Sequence, residues 1–258
     1  MADESVRYPS SITPVGHVEP VPRRVRATIG GRCVFDTRRA LYVWEWPAYP
    51  QFSIPVEDLV DGVLVDDGRV EQLGAGPARR HTLKVGAQVR EGAAWVWDDG
   101  APAALHGSVR FEWEALDSWF EEEEPVHVHP RSPYSRVDAL RSSSSVRVEL
   151  DGAVLAEAPD CVKLFETGLP TRYYLDRTHV DLARLRHSGT VTRCPYKGTT
   201  SGYWSFDSDI AAHEDIAWAY DFPTVHVSRI AGLIAFYNER VDLYVDGTAL
   251  PRHPSAGG

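Results

Sequence analysis

The chain nearly repeats itself, and that constrains its fold more than any other feature. Val25-Arg26-Ala27-Thr28-Ile29-Gly30-Gly31 is echoed by Val146-Arg147-Val148-Glu149-Leu150-Asp151-Gly152 at an offset of 121 residues, and Glu45 meets Glu166 at the same offset. Ala94-Trp95-Val96-Trp97-Asp98 meets Ala217-Trp218-Ala219-Tyr220-Asp221 at 123, and Gly107, Phe111, Glu114 and Asp117 meet Gly232, Phe236, Glu239 and Asp242 at 125. The offset drifts slowly and the order never changes. Chance similarity would scatter, so the 258 residues are read as two copies of one domain of ordinary size.

This reading sets an extended N-terminal segment at 1–24, a first, diverged copy at 25–120, a linker at 121–145, a second copy with fuller motifs at 146–247, and a flexible tail at 248–258. The linker is placed on the acidic run Glu121 to Glu124, three prolines and the serine tract Ser142 to Ser145, all of which oppose packed structure. Val126-His127-Val128-His129 and Tyr134 add apolar and aromatic character, so part of it is expected to lie against a domain surface.

Both copies pattern as strands. Val146, Val148 and Leu150 alternate with charged residues, Asp151-Gly152 offers a type I′ turn, and Val154-Leu155-Ala156 returns; Gly30-Gly31 is the equivalent turn in copy one. A second hairpin is expected from 233–237 through Asn238-Glu239-Arg240 to 241–245, with short helices at 56–60 and 179–185. The long crossover helices of a parallel sheet are missing. The expected fold is mainly β (α+β with few short helices), in two tandem copies of a compact antiparallel β-rich domain.

Composition narrows the partners. A net charge of -10 disfavours nucleic acid, which needs a positive surface to displace counterions. No apolar run is long enough to span a bilayer, and the first 24 residues lack a secretory apolar core, so a cytoplasmic protein that meets no membrane is expected. Cys33, Cys161 and Cys194 are odd in number and far apart, as for reduced thiols. No cofactor is expected, and homo-oligomerisation is left open.

Candidate chemistry gathers in copy two. In Arg193-Cys194-Pro195-Tyr196-Lys197-Gly198 an ammonium beside the thiol favours thiolate, and a desolvated lysine can act as a base. The alternative is a strand entering a turn, with a buried cysteine and a solvated lysine. In Glu166-Thr167-Gly168-Leu169-Pro170-Thr171-Arg172-Tyr173-Tyr174, Arg172 would clamp a substrate anion and Glu166 would orient it; the alternative is an internal Glu166–Arg172 ion pair. Cys194, Lys197 and Glu166 are the catalytic candidates, and Arg172, Tyr173, Tyr196 and Trp204 would bind a small polar or anionic molecule. A non-catalytic module binding a ligand or a protein, with a structural first domain, is the rival. Lys84 is laid over Lys197 at an offset of 113, which leaves open a separate site around His81 and Lys84. His127 and His129 lack a third metal ligand, and Asp207-Ser208-Asp209 reads as turn chemistry without a phosphate loop.

The strings Val146-Arg147-Val148 with Asp151-Gly152, Phe165-Glu166-Thr167-Gly168-Leu169-Pro170-Thr171-Arg172-Tyr173-Tyr174, Cys194-Pro195-Tyr196-Lys197-Gly198, Tyr203-Trp204, and Ala235-Phe236-Tyr237 through Val241-Asp242 occur in this order. In them, residues 146 to about 247 resemble the domain of unknown function family 427, and 25 to about 120 look like a diverged member. The resemblance implies a compact β-rich domain, often in a small bacterial protein and sometimes paired in tandem. It implies no particular activity.

Overall fold

The structure, a computed structural model, describes residues 13–252. They divide into two compact units that meet in sequence between Tyr134 and Ser135. The first unit has a seven-stranded sheet in the order Val18–Pro20, Leu41–Val43, Gln51–Pro55, Ser108–Phe111, Gln88–Trp97, Gly76–Val85, Leu64–Leu73. Its four-stranded sheet runs Glu124–Val126, Ser118–Glu121, Val25–Ile29, Arg32–Thr37. The second unit repeats the plan. Its seven strands are Val137–Ser142, Cys161–Glu166, Arg172–Leu175, Ile234–Phe236, Ala212–Ala219, Gly202–Asp207 and Leu185–Ser188. Its four are Ala153–Ala158, Val146–Leu150, Asp242–Val245 and Thr248–Ala249. The chain is thus two tandem β-rich domains, and its helical turns among the described residues are short 3-10 segments, including Val56–Asp58, Arg177–His179 and Leu182–Arg184.

Alternation explains the layering. Val146, Val148 and Leu150 are buried, while Arg147 and Glu149 between them point outward and pair at 2.6 Å. The buried side packs with Leu175, Trp204, Phe206 and Ala217 of the larger sheet to form the interlayer core. Both expected tight turns have positive φ at both central residues: 56° and 73° at Gly30 and Gly31, and 50° and 78° at Asp151 and Gly152. That twist matches the right-handed twist of the flanking strands.

Three expectations are corrected. The 233–245 hairpin does not form: Ile234–Phe236 lies in the larger sheet, paired with Arg172–Leu175 and Ala212–Ala219, whereas Asp242–Val245 pairs with Val146–Leu150 in the smaller one. The Tyr237 carbonyl accepts from the amides of Arg240 (2.8 Å) and Val241 (3.2 Å), a helical turn that carries the chain between layers instead of reversing it in plane. The acidic run is not linker but the turn of a hairpin, because arginines meet its charge. Arg23 and Arg131 reach Glu121 at 2.5 and 3.3 Å, and Arg26 reaches Glu123 at 2.7 Å. Finally, Val18–Pro20, Val137–Ser142 and Thr248–Ala249 pair into sheets, so the expected N-terminal segment, linker and tail each give up residues to a domain. Residues 1–12 and 253–258, the rest of that segment and tail, lie outside the described residues.

The remaining connection lies against the first domain. His129 stacks on Tyr49 with ring centroids 3.5 Å apart, and Tyr134 donates to Glu19 at 2.5 Å. Val128 has φ of 70° and the His129 amide donates to the His127 carbonyl at 2.8 Å. His127 and His129 therefore flank a tight turn and do not share a strand face.

Candidate functional site

The larger sheet of the second domain has two faces. One packs on the smaller sheet. The other carries Leu164, Tyr174, Tyr203, Trp218 and Tyr220, covered in part by the 3-10 segment Val225–Ile230. Glu166 ends the strand Cys161–Glu166 in phase with Val162 and Leu164, and so projects on this second face.

Above it runs the connection 189–201, which folds into a small hairpin pairing Arg193–Cys194 with Gly198–Thr199. The turn of that hairpin delivers Lys197 to Glu166. The two form a short ion pair with side chains only 13% and 10% exposed. Cys194 lies near the same ammonium, three residues earlier in the chain, and acts on it electrostatically. Burial alone would lower the Lys197 pKa; the Glu166 carboxylate and Cys194 outweigh it and hold the amine above its ordinary value. Lys197 is consequently an ammonium, suited to stabilising negative charge and unsuited to accepting a proton. Gly198 has φ of 99°, a left-handed conformation that glycine adopts without strain, and this closes the turn. The Thr224 amide donates to the Lys197 carbonyl at 3.1 Å, and the Thr224 hydroxyl to the Tyr196 carbonyl at 2.6 Å, anchoring the loop.

Arg172 lies on the same sheet face but pairs elsewhere. Its guanidinium donates to both oxygens of Glu239, at 2.7 and 2.8 Å, and sits over Trp218 (5.7 Å) and Tyr237 (5.5 Å). Neither sequence alternative for Arg172 holds. It does not pair with Glu166, and the forked donors expected to clamp a substrate anion are closed by Glu239.

The structure brings Cys194, Lys197 and Glu166 together and separates two of the expected ligand-binding rings from them. Tyr173 and Trp204 point to the interlayer core. Their neighbours Tyr174 and Tyr203 carry the rings on the Glu166 side, because successive strand residues face opposite ways. Tyr174 accepts from Trp218 Nε1 at 3.1 Å, and Tyr203 bonds Thr192 at 2.8 Å and Tyr237 at 3.4 Å. Burial pushes the phenols of Tyr174, Tyr220 and Tyr237 well above the ordinary tyrosine range. Strand phase counted from Glu166 and Arg172 was the signal that singles out Tyr174; nothing local flagged Glu239 as the partner of Arg172. Cavities of about 750 and 480 Å³ in this domain lie along 151–157 with 178–184 and around Cys161 and Arg229, and neither is lined by Cys194 or Lys197. Among the described residues no cluster of His, Cys, Asp and Glu is arranged to hold a metal ion.

A family model described as Domain of unknown function (DUF427) matches residues 17–122 and 138–247. The chain belongs to the DUF427 family. Compared with curated proteins, it has no match.

Within this DUF427 pair the first copy differs exactly at the candidate site's position in the sheet. Glu45, the counterpart of Glu166, pairs with Arg110 at 3.1 Å. The connection matching 189–201 is the tight turn at Gly74 and Ala75, between Leu64–Leu73 and Gly76–Val85. A Cβ on Gly74 would lie 2.0 Å from the Glu45 carbonyl oxygen, so this turn rests directly on Glu45. Leu73 and Ala75 pack with Val43, Trp95 and Trp97 over the face. The lysine alignment is corrected by register: Arg80 sits opposite Trp95 as Tyr203 sits opposite Trp218. Lys84 is therefore at the far end of a strand that has no counterpart of Lys197. His81 and Lys84 do not gather a second copy of the site: the His81 ring bonds the Arg79 carbonyl at 2.8 Å, and Lys84 is exposed.

Proposed function

We propose that the second DUF427 domain is a small-molecule site in which Cys194 is the reactive group, and that the first is a non-catalytic copy. The observation that carries this is one buried ammonium, Lys197, paired with the Glu166 carboxylate and carried with the Cys194 thiol on one small hairpin. In this reading Lys197 stabilises charge developing on the sulfur or on a bound oxygen, and Glu166 holds Lys197 in place. Tyr196 precedes Lys197 in the hairpin turn, held through its backbone carbonyl by the Thr224 hydroxyl. A reduced thiol suits a reducing, cytoplasmic setting.

Iodoacetamide alkylation, followed peptide by peptide in native and urea-unfolded protein, tests it. Cys33 is exposed and serves as the internal reference. Native Cys194 should react about tenfold faster than Cys33 at neutral pH, an advantage lost in urea. A native Cys194 that reacts no faster than Cys33 sinks the reading. That outcome would favour a non-catalytic binding module, a reading that draws on the closure of both cations by carboxylates.

A further inference from the structure

The second face of the larger sheet carries a cavity at its other end, away from Glu166. Val162 and Tyr174 sit opposite each other on neighbouring strands, and Arg141 sits opposite Val162 on the next strand out, so the three form one row on this face. Val162 is four residues of strand from Glu166, about 13 Å. Continuing the same register by two residues sets Asp160 opposite Asp176, where the ladder ends. The segment Val225–Ile230 covers this face and brings Arg229, whose Nη1 donates to the Ala139 carbonyl at 3.0 Å. All six of these side chains, with Leu233, line the cavity of about 480 Å³.

Two cations and two carboxylates thus surround one hollow, and none of the four pairs with another. Among the described residues Arg141 and Arg229 meet no carboxylate, and Asp160 meets no cation. Asp176 uses one oxygen to accept from the Thr178 amide and hydroxyl, at 2.9 and 2.7 Å, and meets no cation either. Elsewhere on this face the cations are closed, Lys197 by Glu166 and Arg172 by Glu239. Unpaired charges of both signs around an apolar floor of Val162, Tyr174 and Leu233 are complementary to a molecule that carries both signs itself. Row spacing limits how far apart those signs can be. Two residues of strand span about 7 Å, a gap that the adjacent carboxylate and ammonium of one α-amino acid fill with a hydrogen bond at each end. The first domain has no such set: its matching row is Pro20, Leu41 and Ser53.

We infer that this cavity binds a free α-amino acid with an apolar side chain. Arg141 and Arg229 take its carboxylate, Asp160 and Asp176 take its ammonium, and its side chain lies on the apolar floor. The site does not use Cys194 and stands whether or not that thiol is reactive.

Isothermal titration of the full-length protein uses three probes with the same ring: L-phenylalanine, 3-phenylpropionate, which lacks the ammonium, and 2-phenylethylamine, which lacks the carboxylate. Phenylalanine should bind at least about fivefold more tightly than either. Arg141→Met should weaken phenylalanine about fivefold and close its gap with 2-phenylethylamine; Asp160→Asn should weaken it about as much and close its gap with 3-phenylpropionate. Both positions are exposed, so the variants should match wild type in urea unfolding. A single-charge probe that binds wild type as tightly as phenylalanine overturns the inference without need of any variant. So does the lack of saturable phenylalanine binding up to about 10 mM. Phenylalanine affinity unchanged in both variants also overturns it, because the amino acid would then bind elsewhere.

Discussion

The two domains place the same glutamate at the same edge of the sheet, Glu166 as the last residue of Cys161–Glu166 and Glu45 two residues past Leu41–Val43, and neutralise it with different partners. Glu45 takes Arg110 from the strand Ser108–Phe111, at 3.1 Å, under a two-residue turn. Glu166 takes Lys197 from the long connection 189–201, which also brings a thiol. Register shows the exchange: Arg110 faces Trp95 across the ladder, and in the second domain Ala235 takes that place facing Trp218. With no arginine there, the carboxylate is free for the loop lysine, and the second domain's arginine enters one strand away at Arg172. The sandwich therefore accepts either an arginine from the sheet or a lysine from a loop on this glutamate. What distinguishes the second domain is a loop long enough to fold into its own hairpin.

The hardest way to break the comparison is to remove the lysine. Lys197→Met leaves Glu166 buried without its counter-charge and should cost about 3–5 kcal/mol. Adding Glu166→Gln should recover most of that, because the stranded charge is gone. Urea unfolding of the full chain, followed by tryptophan fluorescence, reads both. A single-variant loss below about 1 kcal/mol would mean the pair is effectively solvated.

Next in size is a test of the short turn. Gly74→Ala drives a methyl group into the Glu45 backbone, with carbonyl oxygen and Cα at 2.0 and 2.8 Å, and backbone cannot swing aside. About 3 kcal/mol should be lost. Gly189→Ala, in the corresponding connection of the second domain, meets nothing within 4 Å and should change stability by less than about 0.5 kcal/mol. Similar effects at the two positions would mean that the first domain's turn is not seated on Glu45.

How much of this the sequence shows depends on whether the deciding information is local. The tandem repeat, the β pattern and the two positive-φ turns are legible because alternation and turn chemistry act between near neighbours. Cys194 and Lys197 are legible together because three residues of chain tie them. Glu166 was also visible, but its pairing with Lys197 was not, since a distant strand supplies one charge and a loop the other. The aromatic doublets were misread for a simpler reason. In Tyr173-Tyr174 and Tyr203-Trp204 only one ring of each can face Glu166, and composition says nothing about which; phase does. The acidic run read as linker because its neutralising arginines, Arg23 and Arg26, lie almost a whole domain earlier in the chain.

The smallest expected effect separates the two glutamates by pH. Burial raises the Glu45 pKa above the ordinary carboxylate value, and Arg110 only partly offsets it. A group whose folded pKa is raised binds its proton more tightly when folded. Its stabilising contribution is therefore complete below the unfolded pKa and is lost as pH rises through the folded one. The first domain should lose this contribution on going from pH 4 to pH 7, and Glu45→Gln, which cannot titrate, should not. Urea midpoints of wild type and variant at both pH values isolate the term, because every other carboxylate cancels in the difference. Lys197 obeys the same rule at the other end of the scale. Its pKa is raised above the lysine value, so its contribution is intact through neutrality and fades only in strong alkali. Between pH 4 and 7 the Glu45 comparison should therefore drift and a Lys197→Met comparison should not carry a lysine titration. A Glu45→Gln difference that is the same at both pH values would show that Arg110 neutralises Glu45 fully, and that the exchange of cation between the domains has no electrostatic cost.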